Sequence, residues 1–277
     1  MGTSRVEGLV SYVKRLAYAH NVKVNSLVSY LITLHPNPLI HPKSANNQIL
    51  SNGMSRMINV VAESLEKLNL MHDLKFSTML PWQSIINYKT LLGNHKKWCT
   101  VCLREWKENG VEMYDPLIWD LGILNICPEH FVKLNDSCPN LNCKSYQWYG
   151  MDSFVVGHCQ TCNEFLGVEE PETENINIIN KEITAWDIWV ANNLRDMVVK
   201  APNLTIPKQE KMYTILNNCI NDFFQGNRIN LCKALEIEYF RFRKIEEAQY
   251  RLSLRSFLLL SYLTKLRVTD LIYYGLK

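Results

Sequence analysis

The apolar positions of this chain fall into helical stripes at both ends and lose their period in the middle. Leu9, Val10, Val13, Leu16 and Ala17 recur at three- and four-residue steps, and so do Val24, Leu27, Val28, Leu31 and Ile32 after a polar break at His20-Asn21. Such steps put side chains on one face of a 3.6-residue turn, so two amphipathic helices packed as a hairpin are expected, helix-turn-helix-like in spacing. Ser4-Arg-Val-Glu7 has capping-box spacing and places the first helix start there. His35-Pro36-Asn37-Pro38 ends the second helix, because proline lacks an amide donor and clashes with the preceding turn. His41 to Asn52 reads as a polar loop, and Met57, Val61, Leu65 and Leu68 mark a third helix. Residues 71–92 are apolar but irregular, with Pro81-Trp82 breaking the pattern, so only short helices are expected there.

The period returns beyond an acidic connector, Glu169-Glu-Pro-Glu-Thr-Glu174. Trp189, Val190, Leu194, Met197 and Val198 make one stripe, and Met212, Ile215, Leu216, Cys219, Ile220, Phe223 and Phe224 make the cleanest one in the chain. Four short helices follow, at Asn230–Leu235, Glu238–Ala248, Leu254–Leu266 and Thr269–Tyr274. Cys219 and Cys232 lie on these apolar stretches and read as core thiols.

The middle owes its order to something other than periodicity. Seven of the nine cysteines lie between Cys99 and Cys162. Cys99-Thr-Val-Cys102 is answered by Cys127-Pro-Glu-His130, and Cys138-Pro-Asn-Leu-Asn-Cys143 by Cys159-Gln-Thr-Cys162. Close spacing within each pair lets both donors turn onto one ion, and two pairs supply the four ligands of a structural zinc. Two closed sets result: Cys99, Cys102, Cys127 and His130, then Cys138, Cys143, Cys159 and Cys162. His158 beside Cys159 is a substitute ligand only if a cysteine drops out. Closed sets leave no position for a reacting water, so both zincs are expected to hold shape. Disulfides would need an oxidising compartment, and Met1-Gly-Thr-Ser-Arg-Val-Glu7 has no signal-peptide core. A redox dithiol at Cys99–Cys102 should follow a buried strand, whereas Gly93-Asn-His-Lys-Lys-Trp98 is polar and basic. Trp98, Trp106, Tyr114, Trp119 and Leu121 lie among the ligands and are expected to pack around the zincs as a small core.

Composition adds limits. Apolar residues make up 47% and charged residues 21%, which suits a core-forming chain. The longest apolar run, Phe257–Leu260, is far short of the roughly 20 residues that span a bilayer. With reduced cysteines, a cytoplasmic, nucleoid-associated bacterial protein is expected. A formal charge of +3 says little about nucleic acid. Its excess sits between Tyr239 and Arg267, where seven basic residues face two acidic ones. The other histidines have no nucleophile or paired carboxylates at a catalytic spacing, and no glycine loop cradles phosphate, so no enzyme is expected.

Trp98-Cys99-x-x-Cys102-Leu103-x-Glu105, Trp119-Asp120-Leu121, Ile126-Cys127-Pro128-Glu129-His130, Leu134 and Cys138-Pro139 follow one another in an order that resembles the TniQ family. The opening Glu7-Gly8-Leu9-x-Ser11-Tyr12-x-x-Arg15-Leu16-Ala17 is similar to the start of that family, and the likeness covers roughly residues 5–165. The resemblance implies a target-selection adaptor of bacterial transposons. In CRISPR-associated transposons such an adaptor rides on an RNA-guided, Cascade-like effector with its guide RNA and recruits a TnsC-like AAA+ ATPase, meeting target DNA indirectly. Some relatives pair head to tail as homodimers. Residues 228–277 resemble the small phage-repressor-type domains that close many longer relatives, in which the third helix reads the major groove. Here that helix is Glu238–Ala248, and Arg241, Arg243, Lys244 and Arg251 are candidate contacts. Phe240, Phe242 and Glu246-Glu247 suit a groove reader poorly, so a degenerate helix-turn-helix that touches protein or RNA is expected first, and a sequence-specific DNA reader second.

The expected fold is therefore mainly α with small zinc-knuckle modules. Residues 1–92 form a helical, helix-turn-helix-like domain, 93–168 the tandem zinc region, 169–182 an acidic linker and 183–277 a C-terminal helical domain.

Overall fold

The computed structural model describes residues 3–36, 50–69, 72–149, 155–167 and 183–274. The acidic connector and most of the His41–Asn52 loop lie outside the described residues. Helices α1 (Leu9–Ala19), α2 (Val24–Leu34) and α3 (Arg56–Asn69) come first. Two 3-10 turns, Leu74–Ser77 and Leu80–Trp82, lead to α4 (Thr100–Glu108). After the metal region come α5 (Ala185–Lys200), α6 (Met212–Phe224), α7 (Arg228–Ala234), α8 (Tyr239–Glu246), α9 (Leu254–Thr264) and α10 (Val268–Tyr274). β pairing among the described residues is confined to isolated bridges, such as Leu92 with Leu121 and Trp98 with Asn135. The fold is mainly α with two cysteine-rich clusters at its centre.

Two cores organise these elements. The first is the three-helix unit, where Leu9, Val13, Val28, Leu31, Ile58, Val61 and Leu65 pack with Leu50, Leu74 and Leu80. The second is continuous from Trp82 and Ile86, through Trp98, Cys99, Trp106, Trp119 and Cys127, into Leu194, Met197, Ile215, Cys219, Phe242, Phe257 and Leu271. The metal region and the C-terminal helices thus share one buried interior. Cys219 and Cys232 are buried in it.

α5 anchors the last two helices. Its start carries a reciprocal capping box between Thr184 and Asp187. Buried Asn193 accepts from Ser261 Oγ at 3.2 Å and from the Val268 amide at 2.9 Å, which caps α10. Asp196 accepts from Thr269 and Arg267, fixing the same corner.

The start of α1 differs from its expected form. The helix begins at Leu9 with Gly8 as its cap, and no side chain of its own closes it. The Ser4 hydroxyl donates instead to Glu129, and the Glu7 carboxylate accepts from Ser11 at 2.7 Å and Arg15 at 2.9 Å. The cap comes from a distant residue: Asn52 Oδ1 accepts from the Val10 amide at 2.8 Å. Gly8 must lack a side chain here, since a Cβ would sit 2.3 Å from Asn52 Nδ2. That Nδ2 donates to Asp120 Oδ2 at 2.6 Å, while the Gly8 amide donates to the Asp115 carbonyl at 3.0 Å. Buried polar groups therefore join the three-helix unit to the metal region.

Burial, reinforced by Asp115, raises the Asp120 carboxyl to about 6 from an ordinary 3.8, against the opposing hydrogen bond from Asn52. A raised carboxyl binds its proton more tightly folded than unfolded, so its contribution to stability falls as pH rises from about 4 to about 6. Asp120→Asn stays neutral throughout. Relative to this variant, the native protein is expected to lose on the order of 2–3 kcal/mol over that interval. Urea unfolding of both proteins at pH 4 and pH 7 checks this, and a difference that does not change with pH counts against it.

Candidate metal centres

The first ligand set joins a helix start to a turn. Cys99 is the N-cap of α4 and its sulfur accepts from the Cys102 amide at 3.5 Å, so both thiols of the pair meet at the first helical turn. The second pair sits on a tight turn, where the Cys127 amide donates to the Val132 carbonyl at 2.8 Å and the Phe131 amide to the Cys127 carbonyl at 2.8 Å. Phe131 takes a φ of 51°, the left-handed conformation that brings the chain back past His130. Cys102 Sγ lies 3.8 Å from Cys127 Sγ. His130 Nδ1 lies 3.5, 3.3 and 3.7 Å from the sulfurs of Cys99, Cys102 and Cys127.

The second set is built from two turns of the same kind. The Cys159 amide donates to the Glu164 carbonyl at 2.8 Å and the Cys138 amide to the Ser145 carbonyl at 2.9 Å. Asn163 and Lys144, each directly after the second cysteine of its pair, take φ of 59° and 49°. Cys138 and Cys162 sulfurs stand 3.6 Å apart, and those of Cys143 and Cys159 stand 3.8 Å apart. Gln147 Nε2 and the Thr161 amide donate to Cys159 Sγ at 3.3 and 3.4 Å.

Each group of four brings one ligand atom per residue within 4.8 Å of the others, so each could hold a metal ion. A tetrahedron with metal–sulfur bonds of about 2.3 Å has sulfur–sulfur edges of about 3.8 Å and sulfur–nitrogen edges of about 3.5 Å. The observed edges match both values, and all of these cysteines are free thiols. His130 supports the reading, because its other nitrogen, Nε2, lies 2.9 Å from Glu105 Oε1. A carboxylate there fixes the ring and leaves Nδ1 as the donor to metal. His158 stands outside both sets, with its ring tilted 5.7 Å from Phe165.

The thiols are set for exchange of protons against metal. Hydrogen bonds from Cys102 and Cys99 hold the Cys127 thiol well below its ordinary value, while those with Cys127 and Cys99 push Cys102 far up. Metal ligation takes the thiolate form, so a divalent ion bound here would displace the thiol protons. Glu105→Gln keeps the ring contact but removes its charge, and should weaken metal binding at the first site by about 10–100-fold. Competition against a chromogenic chelator measures this, and unchanged affinity would refute the role of Glu105.

The aromatic residues among the ligands are structural. Trp98, Trp106 and Trp119 are buried, and Trp106 stacks on Tyr114 at 4.6 Å. Trp98 Nε1 donates to the Leu166 carbonyl at 3.0 Å, which ties the first site to the far end of the second. Lys97 donates to the Gly122 and Leu124 carbonyls at 2.9 and 2.7 Å, and burial lowers its pKa.

The four candidate contact residues near the C-terminus are exposed, and two of them, Arg241 and Lys244, gather on one ring. Arg241 pairs with Glu238 at 3.0 Å, and Arg241 and Lys244 both lie over the Phe240 ring, at 5.7 and 5.6 Å. Arg243 lies about 200° round α8 from Arg241. Arg251 donates to Gln209 at 3.1 Å beside an open cleft with Tyr88 and Tyr250. Other basic residues of this stretch are committed locally, Arg255 to Glu236 at 2.8 Å and Arg267 to Asp196 at 3.2 Å. Phe242 is core, so only Tyr239 and Phe240 add aromatic surface to α8.

Glu105 stood in the Trp98–Glu105 motif without a role, its position three after Cys102 on α4 being the available signal, and Asn52 was missed because no signal for it lies nearby in sequence. Tyr146 and Trp148 were also missed. They alternate around Gln147, and that strand-like period puts both rings on one side.

Comparison with known families finds a match to the N-terminal part of the chain. Residues 1–134 match the TniQ family model. These residues, just under half of the chain, form a TniQ-family segment. The matched segment contains the three-helix unit and the whole first ligand set; the second set and the C-terminal helices lie beyond it. No curated protein matches the chain. TniQ is a transposition-associated, adaptor-type family. Among the described residues, no helix is long and apolar enough to cross a membrane.

Proposed function

We propose that this protein selects target sites for bacterial DNA transposition without catalysing it, as a bridge between an RNA-guided, Cascade-like CRISPR effector and the AAA+ ATPase regulator. The observation that carries the reading is the continuous core from both ligand sets into the C-terminal helices, with the TniQ segment pinned to it through Asn52 and Asp120. A bridge has to hold two docking faces at a fixed separation, and a shared rigid interior does so. Zinc is the ion that fits, because three- and four-thiolate sets with tetrahedral edges suit a borderline-soft cation and not magnesium or calcium. Both sets are closed by protein donors, so the metals stiffen the centre.

In this reading residues 1–92, 93–168 and 183–277 act as successive modules, and target DNA is met through the partners. Arg241, Arg243, Lys244 and Arg251 touch the effector, its guide RNA or the ATPase. Exposed Phe240 beneath two cations suits such a partner better than a base edge. Pairing of two copies is compatible with helical modules at both ends.

The test is a pulldown of the tagged protein from cells co-expressing its neighbouring genes. A guide-RNA complex and an ATPase that co-purify support the bridge. Retention of one defined duplex, lost on Arg241→Ala with Arg243→Ala, would replace it with a sequence-specific reader of an attachment site. The exposed guanidinium of Arg243, which has no carboxylate partner among the described residues, is the observation that favours that second reading.

A further inference from the structure

We infer that Tyr146, Trp148 and His95 form a stacking platform for single-stranded nucleic acid, mounted on the second metal site. The inference rests on the transposition role proposed above for the kind of partner present, and on the following geometry for the site. Tyr146 stacks on the His95 ring with centroids 4.4 Å apart and planes 15° apart. Trp148 meets the same imidazole edge-on, with centroids 4.3 Å apart and planes at 75°. Tyr146 is nonetheless 49% exposed and Trp148 58% exposed, so each keeps a ring face open to solvent. Scattered exposed aromatics need no explanation, but two gathered on one histidine form a preorganised π surface.

The mounting is rigid. Gln160, between ligands Cys159 and Cys162, clamps the Trp148 backbone from both sides. Its Oε1 accepts from the Trp148 amide at 3.0 Å and its Nε2 donates to the Trp148 carbonyl at 2.7 Å. Gln147, buried between the two exposed rings in sequence, donates to Cys159 Sγ at 3.3 Å and accepts from the Gln160 amide at 2.8 Å. Its carbonyl accepts from the Lys96 amide at 2.8 Å, which holds the His95 segment alongside. Metal binding therefore sets the position of the rings.

Charge selects the occupant. From Ser137 to Asn163 the one carboxylate is Asp152, in a segment outside the described residues; Asp136 lies just before it, its carbonyl accepting from the Gln147 amide at 3.3 Å, and exposed Lys144 stands two residues before Tyr146. Open ring faces close in sequence to an exposed lysine suit bases on a phosphate backbone. Every base offers a π face, so the platform accepts strands without reading sequence. The buried tryptophans of the module offer no such face.

The experiment uses full-length protein loaded with zinc and labelled single strands of about 16 nucleotides, as DNA and as RNA, read by anisotropy and by quenching of tryptophan emission. Trp148→Ala and Tyr146→Ala are each expected to weaken strand binding about ten-fold, the scale of one lost stack, and Trp148→Phe to restore most of it. Metal content of the variants should match that of the native protein. A preference between the two strands identifies the natural one through the 2′-hydroxyl. Unchanged strand affinity in both alanine variants overturns the inference. So does a variant that loses a co-purifying protein but keeps its strand affinity, which would make the platform a protein interface. If strand binding depends on Trp148 while no effector or ATPase co-purifies, the bridging role falls and the platform stands.

Discussion

Chelation is expected to abolish the near-ultraviolet dichroism of the central module and to expose its tryptophans. Between Gly93 and Gly167 the described chain has one regular α-helix, Thr100–Glu108, one short 3-10 turn and isolated bridges. Ordering each residue costs about 1–2 kcal/mol of backbone entropy, and so little local structure cannot offset it. A structural zinc in a finger peptide contributes on the order of 10–16 kcal/mol at neutral pH, and two ions close the gap. Trp98, Trp106 and Trp119 lie in the same interior as Cys99, Cys102 and Cys127, so their signal reports directly on the first site. That interior continues into α5, α6 and α9, and chelation should lower the thermal midpoint of the far-ultraviolet signal as well. Cys127→Ser is expected to imitate chelation at one site. A near-ultraviolet spectrum unchanged by chelator would contradict the claim.

Trp82→Ala is expected to cost about 3–5 kcal/mol, the usual range for emptying a large buried aromatic site. Its side chain is 1% exposed, and the segment around it changes sides. Met79 belongs to the interior shared with the metal region, Leu80 to that of the three-helix unit, and Trp82 to the first again. Amides of Trp82 and Ile85 close successive turns on the carbonyls of Met79 and Trp82, both at 3.1 Å, so the backbone is held while it crosses the seam. A cavity here loosens both interiors together. Urea unfolding followed by tryptophan emission and by far-ultraviolet dichroism should move to lower denaturant in step. A loss below about 1 kcal/mol would show that Trp82 is dispensable to the seam.

Much of this was legible in the sequence where the determining interactions are local. Each cysteine pair is close in sequence, so its grouping follows from how far one turn reaches. The stripes of α1, α2 and α6 name most of the residues that are buried there, although Phe223 near the end of α6 is exposed. The Ser4–Glu7 pattern failed because a capping box competes with tertiary partners, and Glu129 and Arg15 took its two side chains. Asn52 and Asp120, separated by 68 positions, meet across the fold, and no spacing rule anticipates such a pair. Aromatic residues near the ligands were visible as a class. Which of them are buried and which exposed depends on how the turns mount them: Trp106 points into the shared interior, while Trp148 is carried outward on Gln160. The charge excess near α8 was visible too, but its local pairing with Glu236, Glu238 and Asp196 was not.

The measurement that tests the central claim most directly is native mass spectrometry of the intact chain, purified without chelator. The two closed ligand sets predict one chain with two zinc ions, falling to one when Cys138 and Cys162 are both replaced by serine. A chain that carries no metal, or whose mass shows paired cysteines oxidised to disulfides, would contradict the account of its centre.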